Sequence, residues 1–245
     1  MVGGPTGLVL SLFPGIGLLD MAFEEEGFCV VRGPDLLWGG DIRRFHPPAG
    51  KFDGVIGGPP CQLFSSLRHL NKRAGLKHGN MIPEYERCVT EARPGWFVME
   101  NVPEAPEPSA AGYIVKSTLV TNRLLGSIQD RTRRFSFGTR DGIALMVESS
   151  ALEPIDYSEA VTSSMRDRQT ALARRRQARP DGSRPGPNYG PRVPVFRMLE
   201  LQGLPGTWLD ETAFTENAKR IMIGNGVPLP MGRAIAKAVR RAVSR

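Results

Sequence analysis

Gly7-Leu8-Val9-Leu10-Ser11-Leu12-Phe13-Pro14-Gly15-Ile16-Gly17 is an apolar run that breaks into proline and glycine, the pattern of a buried strand followed by a tight turn. A helix is expected next: Leu18, Leu19, Ala22 and Phe23 supply an apolar face, Glu24 to Glu26 are polar, and Gly27 stands where a left-handed cap is wanted. Phe28-Cys29-Val30-Val31 reads as a second strand, and Lys51-Phe52-Asp53-Gly54-Val55-Ile56-Gly57-Gly58 as a third that ends in glycines and two prolines. Cys61 therefore lies on a loop just beyond a strand's carboxyl end. Met81, Tyr85, Cys88, Val89 and Ala92 recur at helical spacing, with Pro83 near the helix start and Pro94 stopping it. Trp96-Phe97-Val98-Met99 is the next strand, closed by Glu100-Asn101-Val102-Pro103. Strands alternating with helices predict an α/β fold, a parallel sheet with helices on both faces, whose ligands bind at the carboxyl ends of the strands. The glycine turn, the Cys61 loop and Glu100 fall on that one rim.

A chain of 245 residues with 40% hydrophobic content buries one substantial core, so one domain with a small appendage is expected. Cys29, Cys61 and Cys88 form no CxxC pair, which argues against a disulfide framework or a zinc knuckle and for a reducing, cytoplasmic setting. The start, Met1-Val2-Gly3-Gly4-Pro5, has no basic region, and the apolar stretch after it is interrupted by Pro14, Gly15, Gly17 and Asp20; neither a signal peptide nor a membrane span is expected. The net charge of +7 is unevenly placed, because eight arginines against two aspartates fall between Arg166 and Arg192. Such a tract is either a solvated face or a phosphate-contacting segment, since arginine grips phosphate oxygens with a planar fork. Asp181 to Asn188 reads as an irregular loop, and Arg166 to Arg179 as a helix whose arginines can lie on phosphates.

Taken alone, Gly15-Ile16-Gly17 serves a nucleotide-like cofactor or merely a tight turn. Acidic residues downstream favour the first: Asp35 is placed to accept from ribose hydroxyls, and Asp41-Ile42 to hold an adenine by one polar and one apolar contact. Cys29, inside a strand, and Cys88, on a helix's apolar face, fit the usual role of cysteine as a small core hydrophobe. Cys61, flanked by glycines, prolines and Gln62, suits a rigid exposed loop. Conjugate addition to a pyrimidine needs a soft nucleophile at fixed height and an acid at N3; Glu100 is the candidate acid.

Six ordered segments then carry a resemblance: Leu12-Phe13-Pro14-Gly15-Ile16-Gly17, Gly57-Gly58-Pro59-Pro60-Cys61-Gln62-Leu63-Phe64-Ser65, Glu100-Asn101-Val102, Gln129-Asp130-Arg131-Thr132-Arg133, Leu201-Gln202-Gly203-Leu204-Pro205 and Gly224-Asn225-Gly226-Val227-Pro228. In this order they resemble the motifs of the DNA cytosine-5 methyltransferases, the second and third segments most specifically. The resemblance implies a Rossmann-like methyltransferase sheet dependent on S-adenosyl-L-methionine and double-stranded DNA as partner; the family's separate recognition domain is here reduced to a small and partly irregular region, the largest departure from the pattern, and no metal, no membrane and a monomeric state are expected. It further implies that Cys61 adds to C6 of a flipped cytosine while Glu100 protonates N3, with Arg133, and secondarily Arg131, holding the O2 side. Phe13, Gly15, Ile16, Gly17, Asp35, Asp41, Ile42, Pro60 and Asn225 would line the cofactor site. Gln62, Ser65, Arg166, Arg168, Arg174, Arg175, Arg176 and Arg179 would meet nucleic acid.

The expected organisation is a catalytic and cofactor-binding part over 1–140, a reduced arginine-rich recognition region over 141–192, and a segment over 193–245 that returns to the catalytic part. In that last segment Met231, Ile235, Val239 and Val243 form an i, i+4 stripe expected to be core. Departures from the family pattern are Ser11 in place of an acidic residue, Pro14 in place of a small one, Leu18 in place of a second glycine, and Arg197 in place of a glutamate. The short spacing from Val31 to the Lys51 strand also implies a shortened or missing helix. Competing readings are the same chemistry on RNA, transfer of a modified group such as carboxymethyl, and a catalytically silent DNA-binding relative.

Overall fold

A computed structural model of the chain describes residues 6–60, 79–149, 158–159, 161–162, 165 and 191–244. Cys61, Gln62, Ser65 and the arginines from Arg166 to Arg179 lie outside the described residues, as does the Asp181 to Asn188 stretch.

Four strands, β1 (Leu8–Leu12), β2 (Cys29–Arg32), β3 (Gly54–Gly57) and β4 (Trp96–Asn101), pair in parallel in the order β2-β1-β3-β4. The helices α1 (Leu18–Glu25) and α2 (Ile82–Ala92) form where the periodicity places them, and α2 stops at Arg93, in the left-handed region (φ 50°), before Pro94. The connection from β2 to β3 carries only two 3-10 turns, Leu36–Trp38 and Ile42–Arg44, as the short spacing implied.

The wholly parallel sheet needs correction. β5 (Ile114–Thr121) and β7 (Thr132–Thr139) pair antiparallel to each other, and β7 pairs antiparallel to β4, which gives a mixed sheet β2-β1-β3-β4-β7-β5. A tight connection through Asn122–Leu125 and the short β6 (Gln129–Asp130) returns the chain directly beside β5, and a return of that length can only produce an antiparallel partner. β6 also pairs in parallel with β8 (Ser158–Glu159).

Alternation along the strands fills two cores. Val9, Ile56, Trp96 and Val98 face α1 and the carboxy-terminal helices α3 (Val195–Leu201), α4 (Glu216–Asn225) and α5 (Leu229–Val243). Leu10, Leu12, Val55, Phe97 and Met99 face α2. Helices thus cover both faces. Met231, Ile235 and Val239 are fully buried, and Val243 packs on the same core. Cys88 is buried as expected, and burial raises its thiol pKa to about 11. Cys29 is exposed, against the core reading: β2 is an edge strand that pairs with β1 alone, and it buries little of either face. Among the described residues, no helix is long and apolar enough to cross a membrane.

Candidate catalytic and cofactor site

The chain leaves β1 through Phe13, a non-glycine residue in the left-handed region (φ 56°), and turns through Gly15 (φ 57°) and Gly17 (φ 81°) into α1. Such strain in a side-chain-bearing residue costs about 1–3 kcal/mol and collects at functional sites. The turn is tied from outside. Gly15 N–H donates to Asp35 Oδ2 at 2.9 Å, Leu37 N–H donates to Asp35 Oδ1 at 2.7 Å, and the Trp38 indole donates to the Gly15 carbonyl at 2.9 Å. Asp35 thereby holds the glycine turn in addition to whatever it offers a ligand.

A Cβ built on Gly15 would meet no atom within 4 Å, so the turn opens on space at the strands' carboxyl ends. Asp41 accepts from Arg43 N–H at 3.0 Å and pairs with the Arg43 guanidinium, which hold its carboxyl below the usual range, and Ile42 beside it is buried. Asn225 is exposed at the end of α4, and Leu18 packs on the adjacent Gly226, which brings the Gly224-Asn225-Gly226 segment beside the first turn of α1. Open glycine backbone, the Asp35 and Asp41 carboxylates and the exposed Trp38 indole are groups that would suit the adenosyl and amino-acid ends of S-adenosylmethionine.

Ser11 acquires a reason here. Its hydroxyl donates to Asp20 Oδ1 at 2.5 Å, and Arg32 Nε meets Asp20 Oδ2 at 3.0 Å. Asp20 is fully buried, and burial raises its pKa against the pull of Ser11 and Arg32. An acidic residue at position 11 would face a second carboxylate there. Leu18 fills the space over Gly226, and Arg197 pairs with Glu200 on the surface of α3 at 2.8 Å.

At the end of β4, Glu100 is 9% exposed, and Arg133 Nε, from β7, reaches Glu100 Oε1 at 2.9 Å. Burial raises the Glu100 pKa, with Arg133 and Arg131 opposing it. Glu100 Oε2 lies 3.0 Å from where a Cβ on Gly58 would stand, so the bare glycine admits the carboxylate beneath the Gly58-Pro59-Pro60 loop. Asn101 Nδ2 donates to the Pro59 carbonyl at 3.2 Å and ties that loop to β4. Glu100, Arg133 and the Gly58-Pro59 segment therefore converge, and Pro60 follows Pro59 in the chain. Arg131, 3% exposed, donates to the carbonyls of Val161 at 2.7 Å and Gly224 at 3.2 Å; its guanidinium braces backbone.

The motif that begins at Gln129 and the Leu201–Pro205 motif meet at a buried pair of side-chain amides, Gln129 Nε2 donating to Gln202 Oε1 at 3.3 Å. Gln129 Nε2 donates to Leu201 O at 2.7 Å, and Gln202 Nε2 donates to Ile223 O at 2.6 Å. Sequence reasoning missed Asp20, Arg32, Trp38 and Arg220. Asp20 interrupts an apolar helix face without being counted, and Trp38 follows an acidic residue already singled out; for Arg220 no sequence signal was available.

The sequence profile of the family described as C-5 cytosine-specific DNA methylase matches residues 39–173, more than half of the chain. Type II methyltransferase M.FnuDI of Fusobacterium nucleatum is 34% identical over 164 residues, which cover 54% of this chain and 46% of the relative. Type II methyltransferase M.NgoPII of Neisseria gonorrhoeae is 26% identical over 185 residues, or 63% and 54% of the two chains. The chain spans about half the length of the curated relatives it matches. Among solved structures, the Entamoeba histolytica methyltransferase EhMeth matches with a TM-score of 0.64 at 12% identity, over 99% of this chain and 100% of that one. The S. pombe Dnmt2 methyltransferase matches at 0.60 and 11%, over 97% and 98%. These likenesses show a Rossmann-like methyltransferase fold.

Proposed function

The chain belongs to the C-5 cytosine-specific DNA methylases, and from that premise we propose that it methylates C5 of cytosine in double-stranded DNA through a transient Cys61 adduct at C6. The observation that carries this reading is Glu100, buried at the carboxyl end of β4, held by Arg133 at 2.9 Å and lying beneath the loop that leads to Cys61.

The chemistry follows from the ring. Neither C5 nor C6 can be approached from above while the base is stacked, so the target leaves the duplex. Addition of the Cys61 thiolate to C6 pushes electron density toward N3 and C5. Burial favours the protonated Glu100 carboxyl, which gives its proton to N3 and makes C5 nucleophilic. Arg133 keeps that carboxyl oriented and offers its remaining donors to the O2 side. S-adenosylmethionine, when bound, supplies an electrophilic methyl group. A base then removes the C5 proton, Cys61 departs from C6 by β-elimination, and N3 returns its proton to Glu100. Phe13, the Gly15-Ile16-Gly17 turn, Asp35, Asp41, Ile42, Pro60 and Asn225 would hold the cofactor, with Asp35 acting partly by fixing the turn.

The region over 141–192 would select the target base, and its six arginines from Arg166 to Arg179 would sit on phosphates. Incubation with labelled S-adenosylmethionine and either duplex DNA or RNA tests the proposal. Label in 5-methylcytosine of DNA is expected; label confined to RNA, or in neither polymer, contradicts it.

A further inference from the structure

Away from the chemistry, Val161, Thr162 and Met165 come together with Val193. Val193 N–H donates to the Met165 carbonyl at 3.2 Å, and Met165 N–H to the Thr162 carbonyl at 3.0 Å. Val161 is fully buried and Val193 nearly so. Met165 and Val193, which flank positions 166–190 in sequence, are thus held together as a neck.

Two arginines, each 3% exposed, grip this neck from below. Arg131 Nη1 donates to the Val161 carbonyl at 2.7 Å. Arg220, from the middle of α4, donates through Nη1 to the Val193 carbonyl and through Nη2 to the Met165 carbonyl at 2.9 Å. One planar guanidinium thus spans both strands of the neck, a geometry that a single ammonium cannot reproduce. Burying two such cations takes several satisfied bonds to offset, and here the acceptors are main-chain carbonyls at the two ends of one segment. Arg220 also lies on the helix whose last turn carries Gly224 and Asn225, and Arg131 bonds Gly224. Arg131 thereby ties Val161 to the end of the helix that carries Asn225.

We propose that Arg220 is a positioning residue for the DNA substrate: it ties Met165 to Val193, and so fixes the two points at which the arginine tract between them in sequence joins the described part of the chain. This rests on the DNA-methylation reading above. Arg220 acts through these main-chain carbonyls and is outside the proposed catalytic and cofactor-binding residues.

The test uses the whole chain with Arg220→Lys and, as a charge-free companion, Arg220→Met. For Arg220→Lys, cofactor affinity should stay within about twofold, while KM for duplex DNA rises about tenfold and bisulfite sequencing shows methylation spread over more sites. Exchange of the Val193 amide hydrogen should quicken by about tenfold. Arg220→Met should exaggerate each change; should it fail to fold, the lysine variant decides alone. Unchanged KM and site choice in a variant of an active wild type overturn the inference while leaving the methylation reading intact. Cofactor affinity falling in step with DNA affinity also overturns it, because a loosened core would do that. A wild type that neither methylates nor binds DNA removes the reading itself, and the inference with it.

Discussion

Glu100 is the residue on which most depends, and its environment makes two separable predictions. Glu100→Gln keeps the shape but cannot deliver a proton to N3, so kcat should fall by about 10²- to 10⁴-fold. Stability should move the other way. The folded pKa of Glu100 is raised by burial, so its contribution is complete below the ordinary glutamate range and is lost as pH rises through the folded value. Glutamine mimics the neutral form, and the variant should melt higher than the native protein at neutral pH, with the gap closing as pH falls toward the ordinary range; a calorimetric series over pH checks the sign. Asp35 is the other informative residue. Its two carboxylate bonds hold Gly15 and Leu37, and hydrogen bonds to a charged group contribute about 1.5–3 kcal/mol each. Asp35→Ala should therefore weaken S-adenosylmethionine binding by about tenfold or more, measured by titration calorimetry. An unchanged affinity would confine Asp35 to capping its own turn.

Elements were legible where one periodicity ruled. The strands β1, β3 and β4 and the helices α1, α2 and α5 stand where alternation or helical spacing places them, because each buries a face the sequence marks out. The antiparallel β5 and β7 escaped because Ile114 to Thr121 exposes much of its length, leaving no clean hydrophobic pattern to read. Cys29 was misjudged for a related reason: being in a strand does not bury a residue at a sheet edge. Within the site, the motifs pointed to Glu100 and Arg133, which the structure brings together, while Cys61 lies outside the described residues; the ties through Asp20, Trp38 and Arg220 join residues far apart in sequence. The packing of α5 on α1 supplies a test at this scale. A Cβ on Gly232 would stand 3.0 Å from the Ala22 Cβ, so Gly232→Leu should force the helices apart and cost about 1–3 kcal/mol, read as a lower denaturant midpoint at unchanged slope. At α4, Thr215 Oγ1 accepts from Ala218 N–H at 3.3 Å. Thr215→Ala should cost about 1 kcal/mol, and a larger loss would mean that the cap also supports Phe214 against Trp38, whose ring centroids are 5.7 Å apart.

For the molecule as a whole, the sheet gathers the glycine turn, the loop to Cys61 and Glu100 on one rim, while most of the excess positive charge falls in a single tract. If that tract docks on DNA, the affinity should fall steeply with salt. Replacing Arg174, Arg175 and Arg176 by alanine should reduce the log–log slope by about three, and an unchanged slope returns the tract to a solvated face. So small a region should also read few bases, giving a short or relaxed target that methylation mapping of exposed DNA will reveal. The most direct test of the central claim is covalent trapping on duplex DNA carrying 5-fluorocytosine, where the C5 position cannot release a proton and elimination stalls. In the presence of S-adenosylmethionine, the native chain should give a denaturation-resistant protein–DNA adduct that Cys61→Ser abolishes. A native chain that methylates ordinary DNA yet forms no adduct, or an adduct that survives the substitution, would contradict the assignment of Cys61 as nucleophile.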